Sequence, residues 1–439
     1  MDKYKNIKRA RHHLVFLLAL IVGSVLIYFL NNLDMKKQGL GMLTLENPIA
    51  PDLNITTASL NKIEKDMAKV AWRYFENNYN VTTGLVNSVD NYPSTTLWDT
   101  GNYMMALISS KHLKIIDIST YNTRMEALLN TLSKIELYKG LLPNKVYNTQ
   151  TLTMTNYENK VSKKGIGWSA IDIGRILIPL AYLEFNQPIF SKQIKNILSR
   201  WNLKNMTKQG ALYGAVVAKG KESILQEGRL GYEQYTSKMF AFFGVDITNA
   251  LRYDKYLDFI NIEGIDIPYD RRDKEHSDAN NYVLMEPYML DGLEFGWDYF
   301  SKEFSYRLYK AQEERYNNTG IFTAVSEDHL DQKPYFIYNT LYVNKKVWAA
   351  IDEFGKVHNN MKQLSTKASF AMDALYHTTY TNKLIEQLKP LQSKRGWYTG
   401  IYEKSGKINK SITCNTNAII LESLMYKEIG PILNMIKNK

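Results

Sequence analysis

Residues 165–181 read GIGWSAIDIGRILIPLA, and the composition of this stretch decides the fold. It is too long for one strand, and its apolar residues fall on every side of a 3.6-residue period rather than in one stripe. A surface helix keeps a polar back; a helix that is apolar all round is buried by other elements on all sides. Only Ser169, Asp172 and Arg175 break the apolar character here.

Working outward, the same arrangement recurs. A glycine followed by mostly apolar residues appears at Gly84-Leu85-Val86, Gly140-Leu141-Leu142-Pro143, Gly210-Ala211-Leu212-Tyr213, Gly320-Ile321-Phe322 and Gly396-Trp397-Tyr398, with a weaker copy at Gly264-Ile265-Asp266-Ile267-Pro268. The copies lie 54 to 76 residues apart, room for two helices and their loops. A helix rich in small and aromatic residues is predicted after each, over 98–109, 168–181, 230–244, 288–296, 365–376 and 414–426. Strand-like alternation is rare and short. Six such units predict an all-α (α/α)6 toroid over residues 60–439. Hydrophobic content of 45% and charged content of 23% suit an ordinary globular core.

Before the toroid, residues 14–30 read LVFLLALIVGSVLIYFL, 17 residues without a charge, at the short end for a membrane-spanning helix. Lys3, Lys5, Lys8, Arg9 and Arg11 precede it against Asp2, so the positive-inside rule places the N-terminus in the cytoplasm. The apolar run exceeds a usual signal-peptide core, and no small-x-small cleavage site follows, which favours an uncleaved anchor. The expected organisation is a basic cytoplasmic tail (1–13), a transmembrane anchor (14–30), a polar stalk (31–59) and the toroid domain (60–439). That makes an inner-membrane, single-pass protein with a periplasmic domain.

The net charge is +11, but Lys and Arg are scattered without a dense basic run, so a nucleic-acid partner is not expected. The basic balance fits membrane proximity or an acidic glycan. Cys414 is the only cysteine, so no intrachain disulfide can form. Neither a phosphate-binding glycine loop nor a GxSxG motif is present. His276-Ser277-Asp278 and Asp328-His329 lack zinc-ligand spacing, and Asp266, Asp270 and Asp273 match no EF-hand loop; no metal and no cofactor are expected.

In a helical toroid the loops at one end of the inner helices form a funnel, the default site for a ligand. Several acids lie where inner helices should begin: Asp99, Asp172, Glu227, Glu233 and Glu286. Glycoside hydrolysis needs two carboxylates flanking the scissile bond, one protonated as acid and one ionised as base or nucleophile. Glu227, between Gln226 and Gly228, sits in a loop unsuited to capping; Glu286 precedes Pro287; Asp99 is as readily a helix cap as a site acid. These three are the candidate catalytic residues. Trp98, Trp168, Tyr232, Tyr288 and Trp397 are candidate sugar platforms, although each also suits the core. Asp172, Arg175 and Glu233 are candidate substrate-binding residues, with a structural Asp172–Arg175 pair as the plainer alternative.

Four segments carry a family likeness: LWDTGNYMMAL (97–107), GIGWSAIDIGRILI (165–178), QEGRLGYEQYTSK (226–238) and MEPYMLDGLEFGW (285–297). Together they resemble a bacterial family described only as a domain of unknown function, itself similar to the glucoamylase-like six-hairpin glycosidases that include glucan-cleaving enzymes. The likeness spans roughly residues 60–430. It implies an (α/α)6 toroid, an extracytoplasmic location and a link to exopolysaccharide or periplasmic glucan metabolism. Residue chemistry and loop position add the roles, Glu227 as general acid and Glu286 or Asp99 as base; the resemblance to toroid glycosidases, commonly inverting, implies inversion with the two carboxylates roughly 6.5–9.5 Å apart. The alternatives are a non-catalytic glycan-binding subunit tethered beside a polysaccharide synthase, and a polysaccharide lyase using a Tyr or His base.

Overall fold

Six helices are buried along nearly their whole length, and they are the ones the repeats predict: α2 (Leu97–His112), α4 (Ala170–Asn186), α6 (Tyr232–Phe242), α7 (Glu286–Phe295), α9 (Thr366–Tyr376) and α11 (Cys414–Ile429). Neighbours pack in the order α2–α4–α6–α7–α9–α11 and back to α2, so the ring closes. The intervening helices α1 (Lys62–Asn78), α3 (Ile118–Leu132), α5 (Ser191–Arg200), α8 (Tyr299–Thr319) and α10 (Thr379–Leu388) pack outside it. This computed structural model describes residues 45, 47–52, 57–218, 220–277 and 279–433. The expected tail, the anchor and most of the stalk lie outside the described residues. No helix among the described residues is long and apolar enough to cross a membrane.

Small residues let the inner helices approach one another. A Cβ on Gly174 of α4 would lie 2.5 Å from the Thr236 Cβ of α6, and one on Gly101 of α2 would lie 3.1 Å from the Ile176 Cα of α4. The ring interior also holds charge. Arg175 is fully buried, donating to Asn102 (2.9 Å), Tyr235 Oη (2.9 Å), Glu422 (2.8 Å) and Glu294. A buried guanidinium needs such partners, because an unpaired one would be far too costly to desolvate.

Two expectations are corrected. The domain is not all-α: every connection from an outer to an inner helix carries short strands of two to eight residues. Their span is too brief for period-2 alternation to show in the sequence. The sixth outer helix is also missing. Between α6 and α7 stands an antiparallel hairpin, Leu257–Ile262 paired with Ile265–Asp270. Its two-residue turn, Glu263-Gly264, has φ of +52° and +80°, the left-handed pair that a tight hairpin with matching twist requires. The weak glycine copy at Gly264 therefore marks a strand turn.

Candidate active site

All six inner helices run in the same sense, so their N-termini and the strand-bearing connections meet at one end of the toroid. The positive ends of six helix dipoles thus point into one funnel, which favours acidic side chains there. The local sequence places those acids by capping. Ser169 caps α4, its Oγ accepting from Asp172 N at 3.1 Å and lying 3.1 Å from Asp172 Oδ1. Thr96 caps α2 in the same way, its Oγ1 3.1 Å from Asp99 N and 3.0 Å from Asp99 Oδ2. Asp99 is thus tied into the capped first turn of α2, and it is nearly enclosed; burial raises its carboxyl from the ordinary value.

On the α4 side of the funnel, Glu227 accepts from Ser169 Oγ and from Ala170 N, each at 2.7 Å. Ser169 thus joins Glu227 to Asp172, and both acids are partly exposed. Burial, with the neighbouring Glu227 charge, pushes Asp172 up to about 7. Glu227 lies against Gly214, where a Cβ would stand 2.4 Å from its Oε2. Asp172 does not pair with Arg175, which points down into the ring.

Across the ring, α4 faces α9, and there the sequence reading missed the chemistry. Glu286, the first residue of α7, is 0% exposed. Its Oε2 accepts from Ser326 Oγ and the buried Lys367 Nζ, both at 2.5 Å, and its Oε1 from Asn415 Nδ2 at 2.8 Å. So enclosed, Glu286 cannot serve as the water-activating base expected of it. Beside it, Glu327 remains partly open and accepts from Tyr232 Oη at 2.8 Å. Burial and the Glu286 charge push Glu327 up to about 8, and burial pushes Asp328 up to about 7. His329 falls to about 4, because burial and the Lys367 charge both oppose a second cation. Sequence reading took Asp328 and His329 as an isolated pair. The available signal was a Glu-Asp-His run in the connection before an inner helix, together with a lysine in that helix's first turn.

Aromatic rings line the space between. Tyr282 and Tyr338 stack with centroids 3.7 Å apart and planes 15° apart, Trp98 stands edge-on to Tyr232 at 6.0 Å, and Tyr157 is 61% exposed at the rim. Tyr232 and the buried Trp98 thus stand at the starts of α6 and α2, whereas Tyr157, Tyr282 and Tyr338 are not singled out by the sequence.

Other expected substrate contacts lie elsewhere. Trp397 is fully buried, bonded to Met67 O and packed on Phe370. Tyr288 is buried, with Phe304 nearby. Trp168 is buried, donating to Tyr213 O at 3.1 Å. Glu233 is buried and pairs with Arg272 at 2.9 Å, lining a separate polar pocket with Gln234, Tyr256 and Asp270. Each neighbours a loop, which suggests a platform or contact, but its side chain packs into the wall.

Among the described residues one group could gather a metal, Asp273, Glu275 and His276. Asp273 Oδ1 is already taken by Glu275 N (3.1 Å) and His276 N (3.0 Å), as a cap to a single turn.

A sequence profile described as "Protein of unknown function (DUF3131)" matches residues 66–430. No curated relative matches the chain in sequence. Solved structures share its architecture. A candidate glucoamylase from Bacteroides caccae superposes with a TM-score of 0.64 at 12% identity, covering 86% of this chain and 96% of the other. An endo-β-1,2-glucanase from Chitinophaga pinensis, in complex with sophorotriose and glucose, gives 0.62 at 11% identity, covering 86% and 94%. An endo-β-1,2-glucanase from Talaromyces funiculosus, in complex with sophorose, gives 0.58 at 12% identity, covering 86% and 85%. At these identities the likeness establishes the glycosidase-type toroid fold.

Proposed function

The chain belongs to the DUF3131 family, and we propose that it is a glycoside hydrolase acting on a glucan or related exopolysaccharide. One observation carries the reading: partly exposed acids stand beside the starts of α4 and α9, which lie on opposite sides of the ring. Glu327 keeps its proton to about 8 and is partly open to the funnel, as a general acid at neutral pH must be. Opposite, burial and the Glu227 charge push Asp172 up to about 7, and the Glu227 carboxyl is held by Ser169 Oγ and Ala170 N. We assign Glu327 as the acid that protonates the leaving oxygen and Glu227 as the base that takes a proton from water. Glu286 and Lys367 position and polarise Glu327 from behind. Tyr157, Tyr282 and Tyr338 offer faces on which sugar rings stack.

Placement on opposite walls suits a water between the base Glu227 and the anomeric carbon, hence inversion. The apolar run 14–30 supports a tethered, extracytoplasmic domain, beside a polysaccharide synthase if its glycan is still being made.

Incubating the full-length protein with β-1,2-glucan and a panel of bacterial exopolysaccharides, and following reducing ends, tests the proposal. Product should vanish in both Glu327→Gln and Glu227→Gln. Product carrying the ultraviolet band of an unsaturated uronate would replace hydrolysis with elimination. Glycan binding without product would leave a binding subunit.

A further inference from the structure

The end of the toroid opposite the funnel is where inner helices finish and outer helices begin. Large apolar side chains stand exposed at those turns around the ring: Ile63 at the start of α1, Ile118 at the start of α3, Phe185 and Ile189 between α4 and α5, Phe242 at the end of α6 and Tyr299 at the start of α8. Their exposure runs from 40% to 67%. The burial they would gain against water alone is nil. Exposed lysines accompany them, Lys62, Lys114 and Lys192.

The chain enters the domain on this same face. Ile49 N and Ala50 N each donate at 2.8 Å to the Glu303 carboxylate in the first turns of α8. Ala58 N then bonds Lys427 O, and Leu60 N bonds Glu428 Oε1, both at 3.0 Å, at the end of α11. The entry is thus fastened to the rear of the toroid before α1 rises toward the funnel. Residues 31–48 join this point to the apolar run 14–30, a connection of no more than about 60 Å even fully extended.

We infer that the rear face rests on the lipid bilayer, with the funnel opening away from it. The inference depends on reading 14–30 as a membrane anchor. A tether fastened at the rear holds that face toward the membrane. Isolated Ile, Phe and Tyr side chains then enter the interfacial layer, while the lysines meet anionic headgroups. The funnel face also exposes apolar side chains, among them Tyr157 and Phe354. Tyr157 stands beside Asp172 and Glu227, and no tether leads from this face.

The test uses the full-length chain reconstituted into vesicles of phosphatidylcholine and phosphatidylglycerol. Cys414, the one native cysteine, is buried, so a polarity-sensitive thiol dye will report only on introduced sites. Ile189→Cys and Phe242→Cys probe the rear, and Phe354→Cys probes the funnel rim. Both rear probes should shift to the blue and lose emission to a headgroup-labelled quencher lipid, while the rim probe does neither. Quenching at Phe354→Cys alone, or at no site, overturns the orientation. Alkaline extraction of the same vesicles separates the two failures. Protein kept in the pellet without rear quenching leaves the anchor standing and removes the inference; protein released into the supernatant removes both.

Discussion

Replacing Glu327 by Gln should disable the enzyme and stabilise the protein at once. In the folded chain Glu327 holds its proton to about 8, against an ordinary value of 4.5, chiefly because of burial and then because of the Glu286 charge. Below the ordinary value both folded and unfolded chains are protonated, so this contribution to stability is fully present there. It is lost as pH rises toward 8, because the unfolded chain ionises freely while the folded chain resists. Each pH unit in that window is worth about 1.4 kcal/mol, so at pH 7 the buried acid costs at most roughly 3 kcal/mol relative to a neutral isostere. Gln preserves the shape and can still accept from Tyr232 Oη. Denaturant unfolding at pH 4 and pH 7 should show the two proteins alike at the lower pH and Glu327→Gln the more stable at the higher one. Reducing-end release should fall by about 10²–10⁴-fold, the usual worth of a general acid. A variant that keeps hydrolysing, or that loses stability as pH rises relative to the parent, would refute the assignment.

Lys367→Met strands the buried Glu286 carboxylate and should cost about 3–5 kcal/mol in unfolding free energy; adding Glu286→Gln should recover part of that loss, which a double-mutant cycle reads directly. Gly214→Ala pushes a Cβ to 2.4 Å from Glu227 Oε2, so the carboxylate must move, and turnover should drop by about 10²-fold while circular dichroism is unchanged. In the ring interior Arg175→Met should destabilise by about 3–5 kcal/mol. Burial pushes Glu422 well above its ordinary value, so by the same linkage Glu422→Gln should match the parent at pH 4 and raise the denaturation midpoint at pH 7.

The architecture was legible because burial on all sides leaves a compositional mark that survives without any partner being known. α4 shows it plainly: Gly174 faces α6 so closely that even a methyl would not fit, and the sequence records that demand. The outer-to-inner connections were legible by their glycines, since five of the six repeat glycines, Gly396 apart, take φ between +69° and +80° and Gly396 takes +133°. What such a glycine leads into was not legible. After Gly264 it is a hairpin, and the pairing that decides this lies in backbone bonds between Leu257–Ile262 and Ile265–Asp270, each too short to signal alternation against helical surroundings.

The site divides along the same line. Asp99, Asp172 and Glu286 could be found because inner helices begin at them, and Glu227 because its loop offers no helix to cap. Whether such an acid faces the funnel depends on helical phase and on groups far away in the chain. Glu286 and Glu327 lie 41 positions apart, and Tyr232 reaches Glu327 across 95. Nothing local to Glu286 shows that Lys367 and Asn415 will enclose it. The one local hint ran the other way: a lysine in the first turn of a fully buried helix, where the dipole opposes a cation, requires an acid waiting beneath it. Followed through, Lys367 alone would have pointed to a buried carboxylate on a neighbouring inner helix, and from there to the open acid beside it that the enclosed charge keeps protonated.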